Sequence, residues 1–143
     1  MPADAAIVAP ATAADEGPVV ALWQAAGLTR PWNDPVADFR RALATPASDV
    51  LVARVGASLA GAVMVGDDGH RGWVYYLGVD PQRRRSGIGR ALMASAEDWL
   101  RKRDCPKLMF MVRHDNLATK AFYAALGYDA QEVVTLGRRL DGR

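Results

Sequence analysis

Thirty-one residues, Trp73 to Arg103, constrain what this chain can fold into more than any other stretch: WVYYLGVDPQRRRSGIGRALMASAEDWLRKR. Trp73 to Val79 is apolar at nearly every position, as in a strand covered on both faces and central in its sheet. Three consecutive arginines, Arg83 to Arg85, follow, then a turn at Gly87 and Gly89, and helical spacing begins without a gap. Ile88, Leu92, Ala96, Trp99 and Leu100 recur on one helical face, with Arg90, Glu97, Asp98, Arg101 and Lys102 opposite. A helix that opens from a glycine turn leaves its first amides unpaired at the positive end of its dipole, where a phosphate or pyrophosphate can bind. The dinucleotide fingerprint, with its third glycine and distant acid, and the Gly-Lys-Ser/Thr of nucleotide triphosphatases are both absent. On its letters alone, the turn also reads as a tight bend beside solvated arginines.

At 143 residues, half of them hydrophobic, the chain suffices for one domain, expected over 1–143, that buries roughly two thirds of its unfolded surface. Its lone cysteine, Cys105, forms no internal bridge and suits a reducing compartment. No basic segment precedes an apolar core near Met1, and no apolar run approaches the ~20 residues that span a bilayer. A cytoplasmic protein without a membrane partner is expected. The net charge of +2 is unevenly spread: residues 1–80 hold five arginines against nine acids, and residues 81–143 thirteen Lys or Arg against seven acids. The second half is where an anion would bind. A nucleic-acid partner is not expected, because the basic run sits at one turn and has no interleaved aromatics.

In chain order, Ala5 to Ala9 reads as a strand, and Thr12 or Asp15 as the cap of a helix through Val19, Val20, Leu22 and Trp23 to Ala26. Leu28 to Pro35 is a stiff elbow, after which Asn33 or Asp34 caps a second helix with Pro35 at its first position. Asp49 to Val55 and Ser58 to Val65 form a hairpin about Gly56-Ala57, and Asp67 to Gly72 is a turn-rich loop. After the long helix come a strand from Lys107 to Val112 and a helix from Leu117 to Leu126, capped by Asp115 or Asn116 and stopped at Gly127. Its expected core face is Ala118, Phe122, Ala125 and Leu126; Asn116, Thr119 and Tyr123 share a second stripe. Tyr128 to Ala130 and Glu132 to Leu140 read as closing strands.

Arg84-Arg85-Ser86-Gly87-Ile88-Gly89 resembles the pyrophosphate-loop signature of the GNAT N-acetyltransferases. Asn116 followed by Ala121-Phe122-Tyr123-Ala124-Ala125-Leu126-Gly127-Tyr128 resembles the family's second signature, in the right order and at the right remove. Thr29 to Pro35, Asp68 to Gly72 and Tyr75 to Val79 further resemble the small bacterial YpeA-type acetyltransferases. The resemblance implies an α/β (α+β) acyl-CoA N-acyltransferase fold: a mixed, mostly antiparallel sheet of six or seven strands, flanked by four helices, with two central strands splayed.

It implies acetyl-CoA as co-substrate and no metal. The backbone of Leu77 and Val79 would pair with the pantetheine arm as an added strand does. Residues Arg84, Arg85, Ser86, Gly87, Ile88, Gly89 and Arg90 would surround the pyrophosphate, with Asn116 also on the cofactor side. Tyr123 would protonate the departing thiolate; as a core tyrosine beside Phe122 it has a purely structural reading too. Trp32, Asn33, Asp34, His70, Arg71 and Tyr75 would line the acceptor side, with a capped, tryptophan-packed elbow as the alternative. The central strand has no glutamate to serve as base; His70, Asp34 and His114 are the substitutes, and a missing base favours an amine of low pKa. The expected function is acetyl transfer to a primary amine of a small molecule by a monomer or homodimer. Acetylation of protein N-termini or lysines, or non-catalytic acyl-CoA binding, are the alternatives.

Overall fold

The structure is a computed structural model that describes residues 5–142. The chain divides into two compact units, Met1–Phe110 and Met111–Arg143.

The first unit is a five-stranded sheet carrying helices on both faces. Its strands are β1 (Ile7–Pro10), β2 (Ser48–Val55), β3 (Ser58–Asp67), β4 (Gly72–Val79) and β5 (Leu108–Phe110). They lie in sequence order; the first three pairings are antiparallel and β4–β5 is parallel. Its helices are α1 (Glu16–Ala25), α2 (Pro35–Leu43) and α3 (Ile88–Arg101). Asp15 stands at the N-cap of the first helix without a side-chain cap bond. Thr12 and Asp15 form a capping box around a 3-10 turn at Ala13–Asp15, and Asp15 then precedes α1. Asp34 caps α2, its Oδ1 accepting from the amides of Val36 and Ala37, with Pro35 at the first helical position.

Val19, Leu22 and Trp23 of α1, with Phe39 and Ala42 of α2, pack on Val50, Val52 and Ala62 of the sheet. The expected face of α3 is buried in full, and Met93 joins it. Full burial on both faces belongs to Val50 through Ala53 of β2, whereas β4 is fourth in the order and partly open, with Tyr75 42% exposed. Trp73–Val79 is thus an inner strand, as expected, but the expectation that it is covered on both faces along its length is corrected. The cause is its short pairing with β5, which ends at Val74↔Phe110. Beyond Val74 the two strands are not paired.

A bulge in β4 sets which way its later residues point. Met64 pairs with Tyr75 and Ala62 with Gly78, so Tyr76 and Leu77 oppose the single residue Val63. Tyr76 sits at φ 55°, in the left-handed region that costs a non-glycine residue about 1–2 kcal/mol. Gly72 and Gly78 are an even number apart, and a regular strand would turn them to one face. Instead a Cβ on Gly72 would strike Leu100 of α3 at 2.5 Å, and one on Gly78 would press on Leu28, Leu22 and Trp23 at 3.0–3.3 Å. Gly72→Ala therefore overpacks the buried Leu100 and should lower unfolding free energy by about 1–3 kcal/mol in urea titrations. An unchanged midpoint would mean that α3 is not seated this closely on β4.

The second unit holds α4 (Leu117–Ala125), capped by Asn116, whose Oδ1 accepts from the Thr119 amide. Gly127 ends it at φ 93°. The expected core face is not the one turned inward: Ala118 and Ala125 are exposed and Phe122 is 37% exposed, whereas Tyr123 is buried and Thr119 and Leu126 partly so. The phenol ring, edge-on to Phe122 and Tyr128, decides the orientation. No strand forms among the described residues after Gly127, so the sheet has five strands, not six or seven. Val133, Val134, Leu136 and Leu140 are 69–94% exposed there, and the hydrogen bonds seen are local, such as Gln131 to the Asp129 carbonyl. Apolar residues without a pairing partner do not make a strand.

Candidate active site

The turn between β4 and α3 is built by its own side chains. Asp80 accepts from the Gln82 amide, capping a 3-10 turn at Pro81–Arg83, and its carboxylate lies 3.9 Å from the Arg83 guanidinium. The Ser86 hydroxyl donates to the Arg83 carbonyl, and Arg85 takes φ 66°. Gly87 stands at the head of α3 in the left-handed region (φ 84°), with no side-chain cap, and a Cβ there would meet nothing within 4 Å. Ala91 closes the first helical bond to the Gly87 carbonyl, so the amides before it have no partner within the helix and lie at the positive end of its fourteen residues. Ile88 is buried and anchors the turn, Gly89 is half-buried, and Arg84, Arg85 and Arg90 are exposed around it. Exposed guanidinium groups around a helix N-terminus can attract an anion.

The loop leads straight back to the open stretch of β4. Leu77 completes the bulge and Val79 follows it, both beyond the last β5 pairing and at partly exposed positions. An extended ligand can take the place of the missing neighbour there.

The expected acceptor residues fall into two groups. Trp32 is 49% exposed, the Asn33 amide donates to the Arg30 carbonyl, and Asp34 spends one carboxylate oxygen on the α2 cap. Asp68 organises the other group: its Oδ1 accepts from the amides of His70 and Arg71, and its Oδ2 from the Trp73 indole. Those bonds, the Arg71 and His70 amides first, hold its carboxyl below the ordinary range. The Arg71 guanidinium is turned back on the His70 carbonyl, and Tyr75 lies nearly parallel to Trp73 at 6.4 Å between ring centroids. Burial, with the nearby Asp68 charge, raises the Tyr75 phenol. His114 belongs to the second unit, where its carbonyl accepts from Lys120.

Sequence reasoning passed over Asp38 and Tyr76. The Tyr76 hydroxyl donates to Asp38 Oδ2 at 2.7 Å, and its ring stacks on Trp23 at 4.2 Å and 18°. Burial first, and the Asp38 hydrogen bond second, push its phenol well above the usual range, with the Asp34 charge contributing. The available signal was an acid one turn beyond the cap, on the same side of α2 as Asp34. In the second unit, Tyr123 is 9% exposed and burial pushes its phenol up to about 12. Asn116 is occupied as the α4 cap, which is the place the structure gives it.

The acetyltransferase (GNAT) family model matches residues 19–128, a span that includes the Gly87 turn, Asn116 and Tyr123. This chain belongs to the GNAT acetyltransferase family. An acetyltransferase of Yersinia pestis (strain Pestoides F) is 47% identical over 122 residues, which are 85% of this chain and 86% of that protein. Among solved structures, AAC(6')-Iy in complex with the bisubstrate analog CoA-S-monomethyl-acetylneamine superposes on this GNAT chain with a TM-score of 0.82 at 16% identity, over 94% of this chain and 98% of that one. A ribosomal-protein-alanine N-acetyltransferase from Brucella melitensis gives 0.74 at 24% identity, over 94% and 99%. These two likenesses establish the fold of this GNAT acetyltransferase. Among its described residues no helix is long and apolar enough to cross a membrane, and no His, Cys, Asp or Glu cluster could hold a metal.

Proposed function

We propose that this acetyltransferase takes acetyl-CoA as donor and transfers the acetyl group directly to a primary amine of a small molecule. The observation that carries this reading is the uncapped, left-handed Gly87 turn at the head of α3, which offers several main-chain amides and open space to a diphosphate. Amides from Arg85 to Arg90 would hold the pyrophosphate, and the backbone of Leu77 and Val79 the pantetheine arm. The amine lone pair attacks the thioester carbonyl carbon, and a β4 amide steadies the oxyanion. The C–S bond then breaks, Tyr123 donates its proton to the sulfur, and the surplus proton released by the nitrogen to water is matched by one that water returns to the Tyr123 phenolate. Tyr123 enters on the family signature and on its protonation state. With its phenol pushed up to about 12 it carries a proton at every physiological pH. Exclusion of water, which holds that proton, also raises the proton affinity of a thiolate, whose ordinary pKa is about 8.5.

The acceptor is best an amine that loses its proton unaided. Asp34 already spends Oδ1 on the α2 cap, and β4 itself, Gly72–Val79, offers no carboxylate or imidazole to act as a base. At pH 7.5 an α-amine of pKa about 8 is roughly one quarter neutral, against about one in a thousand for a lysine side chain near 10.4. AAC(6')-Iy is seen in complex with a bisubstrate analog, CoA-S-monomethyl-acetylneamine, and the Brucella neighbour is a ribosomal-protein-alanine N-acetyltransferase. An amine panel followed by free-thiol release from acetyl-CoA tests the reading. Free amino acids and small primary amines should turn over at least tenfold faster than lysine peptides. Reaction of lysine side chains alone would overturn the choice of acceptor, and calorimetry without heat for coenzyme A would remove the donor.

A further inference from the structure

We infer that Asp38 is a positioning residue: acting through the Tyr76 hydroxyl, it holds the β4 bulge in the form that presents Leu77 and Val79 to the acyl donor. The bulge is the only place where β4 changes the parity of its faces, as the opposite environments of Gly72 and Gly78 show. Its pivot is an aromatic residue at φ 55°, a conformation that L side chains leave unless their surroundings over-determine it. Two contacts do so. The ring is clamped against Trp23, which is fully buried in the α1–α2 core, and the hydroxyl donates to Asp38 Oδ2 at 2.7 Å. Stacking alone leaves the ring free to slide in its plane; the hydrogen bond to a carboxylate on a capped helix fixes where its far end lies. Burial first, and the Asp38 hydrogen bond second, raise the Tyr76 phenol, so the hydroxyl keeps the proton that it donates. Asp38 is also four residues from Asp34, the cap through which the elbow enters α2, so the helix that follows the elbow also fixes the backbone of the donor strand.

The inference rests on acetyl-CoA running along Leu77 and Val79, and two measurements separate it from that reading. In the ligand-free protein, amide hydrogen exchange should rise at least tenfold over residues 75–79 in Asp38→Ala and in Tyr76→Phe, while residues 50–53 of β2 keep their protection. With acetyl-CoA, each variant should raise KM for the donor about tenfold and lower kcat less than threefold. The double variant should be no worse than either single one, and Asp38→Asn, which still accepts a hydrogen bond, should recover most of the loss. Exchange that is unchanged at residues 75–79, or that rises equally in β2, overturns the positioning role whatever coenzyme A does. If exchange responds as stated but the wild type binds no coenzyme A, the latch stands and the donor reading falls. Multiplicative effects in the double variant would show that the two residues do not act as one, and would also overturn it.

Discussion

Gly87→Asp is expected to bind coenzyme A at least a hundredfold more weakly than the wild type in calorimetry, while its Tm moves by only a few degrees. The two halves of that result have separate causes. A side chain at φ 84° costs roughly 1–2 kcal/mol of backbone strain, and a carboxylate at a helix N-terminus returns about 0.3–1 kcal/mol through the dipole. The remainder is on the order of 1 kcal/mol, which for a protein of this size shifts Tm by about 2–4 °C. Nothing lies within 4 Å of the new Cβ, so no packing penalty is added. Binding has no such offset. The carboxylate takes the amides that would hold the diphosphate and repels its charge, and a hundredfold loss requires only about 2.7 kcal/mol. Gly87→Ala separates strain from occupancy: it carries the same backbone cost without the charge, and should weaken binding less than tenfold. Equal binding by Gly87→Asp and wild type would show that the diphosphate is held elsewhere.

The strand–turn–helix core of this site was legible because its signals are local. Apolar spacing fixed the buried face of α3, and glycines at two positions fixed where the helix opens; both are set by a few neighbouring residues. Caps were legible for the same reason, Asp34 and Asn116 each meeting an amide two or three positions away. What could not be read depends on partners distant in sequence. The apolar residues from Val133 to Leu140 have the composition of a strand, but a strand exists only where another offers its edge. The Tyr76–Asp38 bond spans thirty-eight positions, and the bulge that makes it possible appears only in the register of β3 against β4. The orientation of α4 was misjudged because Ala118 and Ala125 bury little surface either way, so that one phenol outweighed them.

Tyr123→Phe separates the chemical role of that phenol from its structural one. The ring contacts with Phe122 and Tyr128 survive the change, so folding at neutral pH and coenzyme A affinity should stay within about twofold of wild type. Loss of a positioned general acid costs roughly 10²–10⁴ in rate, and that loss should appear in kcat with KM for acetyl-CoA unaltered. A second readout needs no substrate. The folded phenol keeps its proton to about 12, whereas an unfolded chain gives it up near 10. The native state therefore binds more protons between those values, and its stability is intact below pH ~10 and falls as pH rises toward ~12, by about 3 kcal/mol for this group. Tyr76, also raised, adds to the fall in the same direction. Denaturant midpoints measured from pH 9 to 12 should thus decline less steeply in Tyr123→Phe than in wild type. A flattened alkaline decline with undiminished kcat would leave Tyr123 a buried tyrosine and nothing more. An unchanged decline would mean that the phenol is not sealed from water, and the proton it is asked to deliver would then have to come from another group.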